Sequence, residues 1–174
     1  MHIHYDRFYR YADFTAILQH LVQTFAHLLS IESIGKSHEG RDIWVLTVTN
    51  RNTGVASDKP AYWVDANIHA SELASGAAAL YLIDTLTREY GRREDVTRCL
   101  DSRAFYVCPR INPDGAEWAM RDTPKIIRSS TRPYPYDEDA IDGLDVEDVD
   151  GDGRILSMRI RDTNGNWKCH PDEP

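Results

Sequence analysis

The sequence predicts an α/β fold, with a mixed, largely parallel sheet and helices on both faces. Two observations carry this expectation. Short apolar runs of strand length alternate with longer segments of helical period. Strands alternating with helices in one chain pack as a sheet with crossover helices. Its 174 residues suffice for one domain with a real core and are too few for two comfortable ones.

Residues 13–29 place Phe14, Ile17, Leu18, Leu21, Val22, Phe25, Leu28 and Leu29 at helical spacing, with Asp13 as the N-cap. His20 and His27 lie on the polar face of this helix. Residues 31–36 and 42–49 read as two strands joined by a turn at His38-Glu39-Gly40. After the polar loop 53–59, the apolar run 61–68 reads as a buried strand. A long helix over 71–90 follows, rich in Ala and Leu and stopped by Gly91. A shorter helix at 94–100 leads to a second buried strand at 103–109. From Arg128 the pattern changes to Pro, Tyr, Asp and Gly, the composition of an appendage or insertion on the α/β body.

Composition narrows the function. An apolar fraction of 41% describes a folded chain rather than a disordered one, and a net charge of −8 offers no basic stripe for nucleic acid. No run approaches the ~20 apolar residues of a membrane span, and no apolar leader precedes the first helix. Cys99, Cys108 and Cys169 lack the spacing of a thiolate metal site or a disulfide framework. Three reduced thiols and a cytoplasmic location are the expectation.

The chemically informative segment is Asn67-Ile68-His69-Ala70-Ser71-Glu72, where a strand ends and a helix begins. In open α/β sheets, ligands bind at that carboxyl edge. Zinc takes imidazole nitrogen and carboxylate oxygen, and a catalytic site uses three protein ligands plus water. A His at the strand end and a Glu in the first helical turn can reach one ion, with Ser71 as the N-cap that directs Glu72. His-x-x-Glu alone is a common surface pair. Its place at a strand-to-helix junction, beside the small residues Ala70, Ala74, Ser75 and Gly76, favours a metal site open to substrate. A second group, Asn112-Pro113-Asp114-Gly115, reads as a turn at the sheet edge.

Taken together, Gly35-Lys36-Ser37-His38-Glu39-Gly40-Arg41-Asp42-Ile43, His69-Ala70-Ser71-Glu72 and Asn112-Pro113-Asp114-Gly115 resemble the zinc carboxypeptidase family, the carboxypeptidase A/B-like metallopeptidases. The resemblance covers residues 5–133 and implies an α/β/α fold, with zinc held by two His and one Glu. His69 and Glu72 would be the first two ligands. Arg128 would polarise the scissile carbonyl, and Arg128 and Arg132 would bind a peptide or peptide-like substrate; Arg121 matches less well. A fixed guanidinium suits that task because it can stabilise a developing oxyanion. The family pattern also requires a third zinc ligand, an Asn-Arg pair, a Tyr and a Glu general base. No matching context follows Arg132, and His170 lies in a polar, Pro-flanked segment. The expectation is therefore residues 1–133 as the N-terminal part of a catalytic domain truncated at its C-terminus, inactive alone and left with an unpaired sheet edge.

Residues 134–174 form the expected acidic insertion, which resembles that of bacterial members of the family. From 137 to 152 it carries Asp137, Glu138, Asp139, Asp142, Asp145, Glu147, Asp148, Asp150 and Asp152 and no basic residue. Asp148-Val149-Asp150-Gly151-Asp152-Gly153 has the form of a calcium loop, so Asp148, Asp150 and Asp152 are candidate calcium ligands, with Asp145 or Glu147 completing the shell. Arg159 stands where an EF-hand needs Glu, and residues 155–160 read as a strand, which excludes an EF-hand. Two other functions fit parts of the pattern. A zinc amidohydrolase or deacylase of small acylated amino acids also uses His-x-x-Glu, and a non-catalytic calcium-binding module needs only the acidic loop.

Overall fold

The computed structural model describes residues 3–125, 127–132, 148, 150–154, 161–165, 168 and 171. The chain divides into two compact units, Met1–Ile141 and Asp142–Pro174. The first carries every α-helix and strand among the described residues: α1 (Tyr11–Thr24), β1 (Leu29–Lys36), β2 (Asp42–Val48), β3 (Ala61–Asp65), α2 (Leu73–Glu89), α3 (Glu94–Ser102), β4 (Ala104–Cys108) and α4 (Pro113–Ala119).

The sheet order is β1-β2-β4-β3. Both β1/β2 and β2/β4 run antiparallel, and β3/β4 alone is parallel. The sheet is thus mixed but mostly antiparallel, which corrects the expected largely parallel arrangement. Connection length explains the difference. The short turn between β1 and β2 permits only an antiparallel pair, whereas the α2–α3 crossover returns β4 parallel to β3. The core lies on one sheet face. There Leu46, Val48 and Val107 meet Phe14, Ile17, Leu18 and Leu21 of α1, Leu80 and Ile83 of α2, and Leu100 of α3 in a single buried cluster. Among the described residues, the three longer helices therefore share a face rather than sandwiching the sheet.

Several boundaries differ from their sequence signals. Helix α1 ends at Thr24, because Leu28 and Leu29 continue the apolar spacing as a turn and the first residue of β1; both are buried. Its N-cap is Arg10, and Asp13 falls inside the first turn, where its charge still favours the helix dipole. The capping bond comes from far away: the Tyr11 amide donates to Glu117 Oε1 at 2.7 Å. Strand β3 stops at Asp65, and it is an exposed edge strand among the described residues, with Tyr62 61% and Trp63 54% accessible. This corrects the buried strand expected over residues 61–68. Asn112-Pro113-Asp114-Gly115 opens a helix instead of making a simple turn. Asn112 Oδ1 accepts from the Gly115 amide at 3.0 Å, and Pro113 occupies the first turn, where its missing N–H costs nothing. No helix among the described residues is long and apolar enough to cross a membrane.

Candidate metal centre

Beyond β3 the chain keeps bonding along the β4 side: the Ala66 amide donates to Cys108 O, Ile111 N to Ala66 O and Asn112 N to Asn67 O. Asn67 then turns the chain out of the strand with a φ of +57°, the one non-glycine positive φ among the described residues. Asparagine tolerates that left-handed region better than most residues because its short amide bonds locally. The turn delivers His69 and Glu72 to the carboxyl edge of the sheet, immediately before α2.

There the two side chains converge. Nδ1 of His69 lies 2.9 Å from Oε1 and 3.0 Å from Oε2 of Glu72, so one nitrogen and two oxygens meet at a point. Both side chains reach solvent, at 35% and 58% exposure, which leaves an open side for a ligand. Imidazole plus carboxylate is a donor set that zinc accepts, and the pair fits as two of the three protein ligands of a catalytic site. Among the described residues, no third His, Cys, Asp or Glu joins them in a cluster. Ser71 is not the cap. Glu72 itself occupies the N-cap position, with no side-chain capping bond.

Of the small residues near the pair, Ala74 is exposed, whereas Ala70 and Gly76 serve packing. Ala70 and Gly76 are buried, and a Cβ on Gly76 would come within 3.2 Å of the Pro109 carbonyl. A Cβ on Gly115 would drive into the Cβ of Ala70, so α4 can press against the turn that carries His69 and Glu72 only through a glycine. Asn112 ties the same layers together, its Nδ2 donating to Ile68 O at 3.2 Å and to Ser129 O.

Arg128 is brought beside this turn by its backbone: the Ala70 amide donates to Arg128 O at 3.2 Å, and Arg128 is itself exposed. Arg132 is likewise exposed. Arg121 is engaged elsewhere, stacked 4.8 Å from the Trp118 ring centroid, with Lys125 5.2 Å from the same centroid.

Asp114 is the group whose role sequence reasoning missed. Its carboxylate is almost fully buried and accepts from Ser37 Oγ (2.7 Å), the Glu39 amide (2.8 Å) and Arg41 Nη1 (2.7 Å). It thereby clamps the β1–β2 hairpin turn, in which Gly40 takes a φ of +81°. Burial acts to raise its pKa, but the Glu39, Ser37 and Arg41 hydrogen bonds together hold it below the usual carboxylate range. The signal was present: an Asp after Asn-Pro, together with Ser-x-x-x-Arg in a distant turn. Arg110 was also overlooked. It is 6% exposed and lies 4.1 Å from the Phe14 ring centroid, and burial pushes its pKa down to about 10. Cys108 is buried, with its thiol pushed up to about 11 by desolvation, and Cys99 is also a free thiol. Cys169 and His170 fall outside the described residues.

In the second unit, ligand oxygens of Asp148, Asp150 and Asp152 lie within 4.8 Å of one another, a cluster that could hold a metal ion. Asp148 also accepts from the amides of Gly151 (2.7 Å) and Gly153 (2.8 Å), and these backbone bonds, the Gly153 one foremost, lower its pKa. Asp145, Glu147 and the expected strand 155–160 lie outside the described residues.

Comparisons with known proteins point to one family. The zinc carboxypeptidase family model, Peptidase_M14, matches residues 14–170. Carboxypeptidase M of Mus musculus is 32% identical over 111 residues, covering 64% of this chain and 25% of that protein. Carboxypeptidase B of Astacus astacus is 27% identical over 168 residues, covering 95% of this chain and 46% of its own length. The crystal structure of carboxypeptidase A from Helicoverpa armigera superposes with a TM-score of 0.59 at 28% identity, over 67% of this chain and 27% of that one. The chain thus spans less than half the length of these relatives. With three sequence motifs, the fold and a family match over most of its residues in agreement, this chain belongs to the zinc carboxypeptidase family.

Proposed function

We propose that this chain carries part of the active site of a zinc-dependent metallocarboxypeptidase, which hydrolyses the peptide bond at the C-terminus of a peptide substrate. The observation that carries the reading is the meeting of His69 Nδ1 with both carboxylate oxygens of Glu72 at 2.9 and 3.0 Å. His69 and Glu72 would hold the zinc, leaving one protein position to be filled by a further ligand. Zinc, when bound, supplies Lewis-acid polarisation of a carbonyl and a water of lowered pKa. Arg128, on the segment bonded to Ala70, would donate to the oxygen on which charge develops, and Arg132 would help to bind the substrate. Full hydrolysis also needs a general base, which no described residue beside the pair supplies.

Metal binding tests this directly. Equilibrium dialysis of the chain against zinc should show a binding component that disappears in His69→Ala and in Glu72→Gln. Zinc uptake unaltered by both substitutions would overturn the assignment.

The acidic loop supports a separate calcium site in the second unit, with Asp148, Asp150 and Asp152 as ligands, because alternate carboxylates converge there. Calorimetric titration with calcium should give heat that Asp150→Ala abolishes. A wild-type chain that gives no heat would end this assignment.

A further inference from the structure

The two donors of the metal centre are half-exposed, so packing against neighbours does not lock their rotamers. Their alignment has to come from the backbone beneath them. That backbone is gathered by one buried side chain. Asn67, 2% exposed, directs its Nδ2 at three carbonyls of the ligand turn: His69 O at 2.9 Å, Ala70 O at 3.2 Å and Glu72 O at 3.4 Å. Its backbone amide donates to Ser75 Oγ at 2.9 Å, and that hydroxyl donates in turn to Glu72 O at 2.7 Å. The carbonyls of both donor residues are therefore tied to a single buried point.

We propose that Asn67 and Ser75 are the positioning residues of the His69/Glu72 pair, fixing the distance between the metal donors without touching the metal. This rests on the zinc assignment above. The residue types follow from the chemistry. Position 67 requires a positive φ, a two-proton donor and a short reach, a combination that asparagine provides. Aspartate has the shape, but it would aim a carboxylate at three carbonyl oxygens. Glycine has the backbone freedom and no donor. Groups that orient metal ligands from behind typically change metal affinity about 10- to 100-fold when removed.

The test is zinc binding by the full 174-residue chain, well below its melting temperature, for wild type, Asn67→Gly, Ser75→Ala and His69→Ala. The His69-dependent component should weaken about 10- to 100-fold in Asn67→Gly and measurably in Ser75→Ala. The visible spectrum of the cobalt-substituted chain should shift in both, while far-UV circular dichroism stays unchanged. A merely structural role would lower the melting temperature and leave zinc affinity and cobalt spectrum as in wild type, and that result would overturn the proposal. If Asn67→Gly does not fold, Ser75→Ala decides by the same criteria. A wild-type chain with no His69-dependent zinc binding would instead remove the zinc assignment itself, together with this inference.

Discussion

Arg41 and Asp114, separated by 73 residues in sequence, pair at 2.7 Å at the foot of the β1–β2 hairpin, with the carboxylate nearly sealed from solvent. This contact joins two of the three motifs that mark the family. Their resemblance therefore has a structural basis: one motif is the turn, and the other is the clamp that closes it.

Removing the clamp should be costly. Asp114→Ala removes the acceptor of the Ser37 hydroxyl and the Glu39 amide and leaves Arg41 paired with Glu39 alone. It should lower unfolding free energy by about 3–5 kcal/mol, as the loss of one partner of a buried pair does. Arg41→Ala should cost less, because that side chain is a quarter exposed. Urea unfolding of both variants measures the difference, and equal costs would contradict the asymmetry.

Acid should act through the same group. Asp114 and Glu117 both have pKa values held low in the folded chain. Burial opposes the shift in each; for Glu117 it is outweighed by the Arg10 side chain and the Tyr11 amide. A depressed folded-state pKa contributes stability above the unfolded value, which is about 4 for carboxylates, and that stability is lost as pH falls through the folded value. Stability should therefore hold between pH 7 and about 5 and decline below about 4. In Asp114→Asn the decline should be shallower when unfolding is followed across that range.

Gly115→Ala forces a methyl group into Ala70. Overpacking of this kind should cost about 1–3 kcal/mol. Because Ala70 sits between His69 and Glu72, the proposed metal donors, zinc affinity should fall as well. The paired variant Ala70→Gly/Gly115→Ala should recover part of the loss in both calorimetry and metal titration.

Arg110 offers the opposite case. Its Nε and Nη1 are buried without a hydrogen-bond partner, and its Nη2 donates to Tyr9 O at 3.0 Å. Replacing a poorly satisfied buried charge with an apolar residue of similar length is often neutral or stabilising. Arg110→Met should change the melting temperature by no more than a few degrees, and a collapse in stability would show that the Phe14 stacking and the Tyr9 bond matter more.

Much of this was legible in the sequence because it depends on local pattern. The apolar period from Phe14 to Leu21, the run before His69 and the His-x-x-Glu spacing each announce an element or a donor. The antiparallel pairing of β2 with β4 was not legible. Alternating strands and helices describe β3–α2–α3–β4 correctly, but the hairpin partner β2 inserts beside β4 and turns most of the sheet antiparallel. The apolar run of β3 reads as a buried strand, yet Tyr62 and Trp63 are exposed at its edge. Long-range polar contacts were hidden for a different reason. A carboxylate such as Glu117 carries no mark in sequence of the distant Tyr11 amide it will bond.

The Asn67 anchor has a consequence for how the protein can change. Its bonds end on main-chain oxygens, which every amino acid possesses, so the anchoring is indifferent to most of the side chains it supports. Ile68 and Ser71, both exposed on the turn, are thus free to diversify. Selection could reshape what lies around the donors by exchanging these rim positions, while the hub that sets the spacing of His69 and Glu72 stays the same.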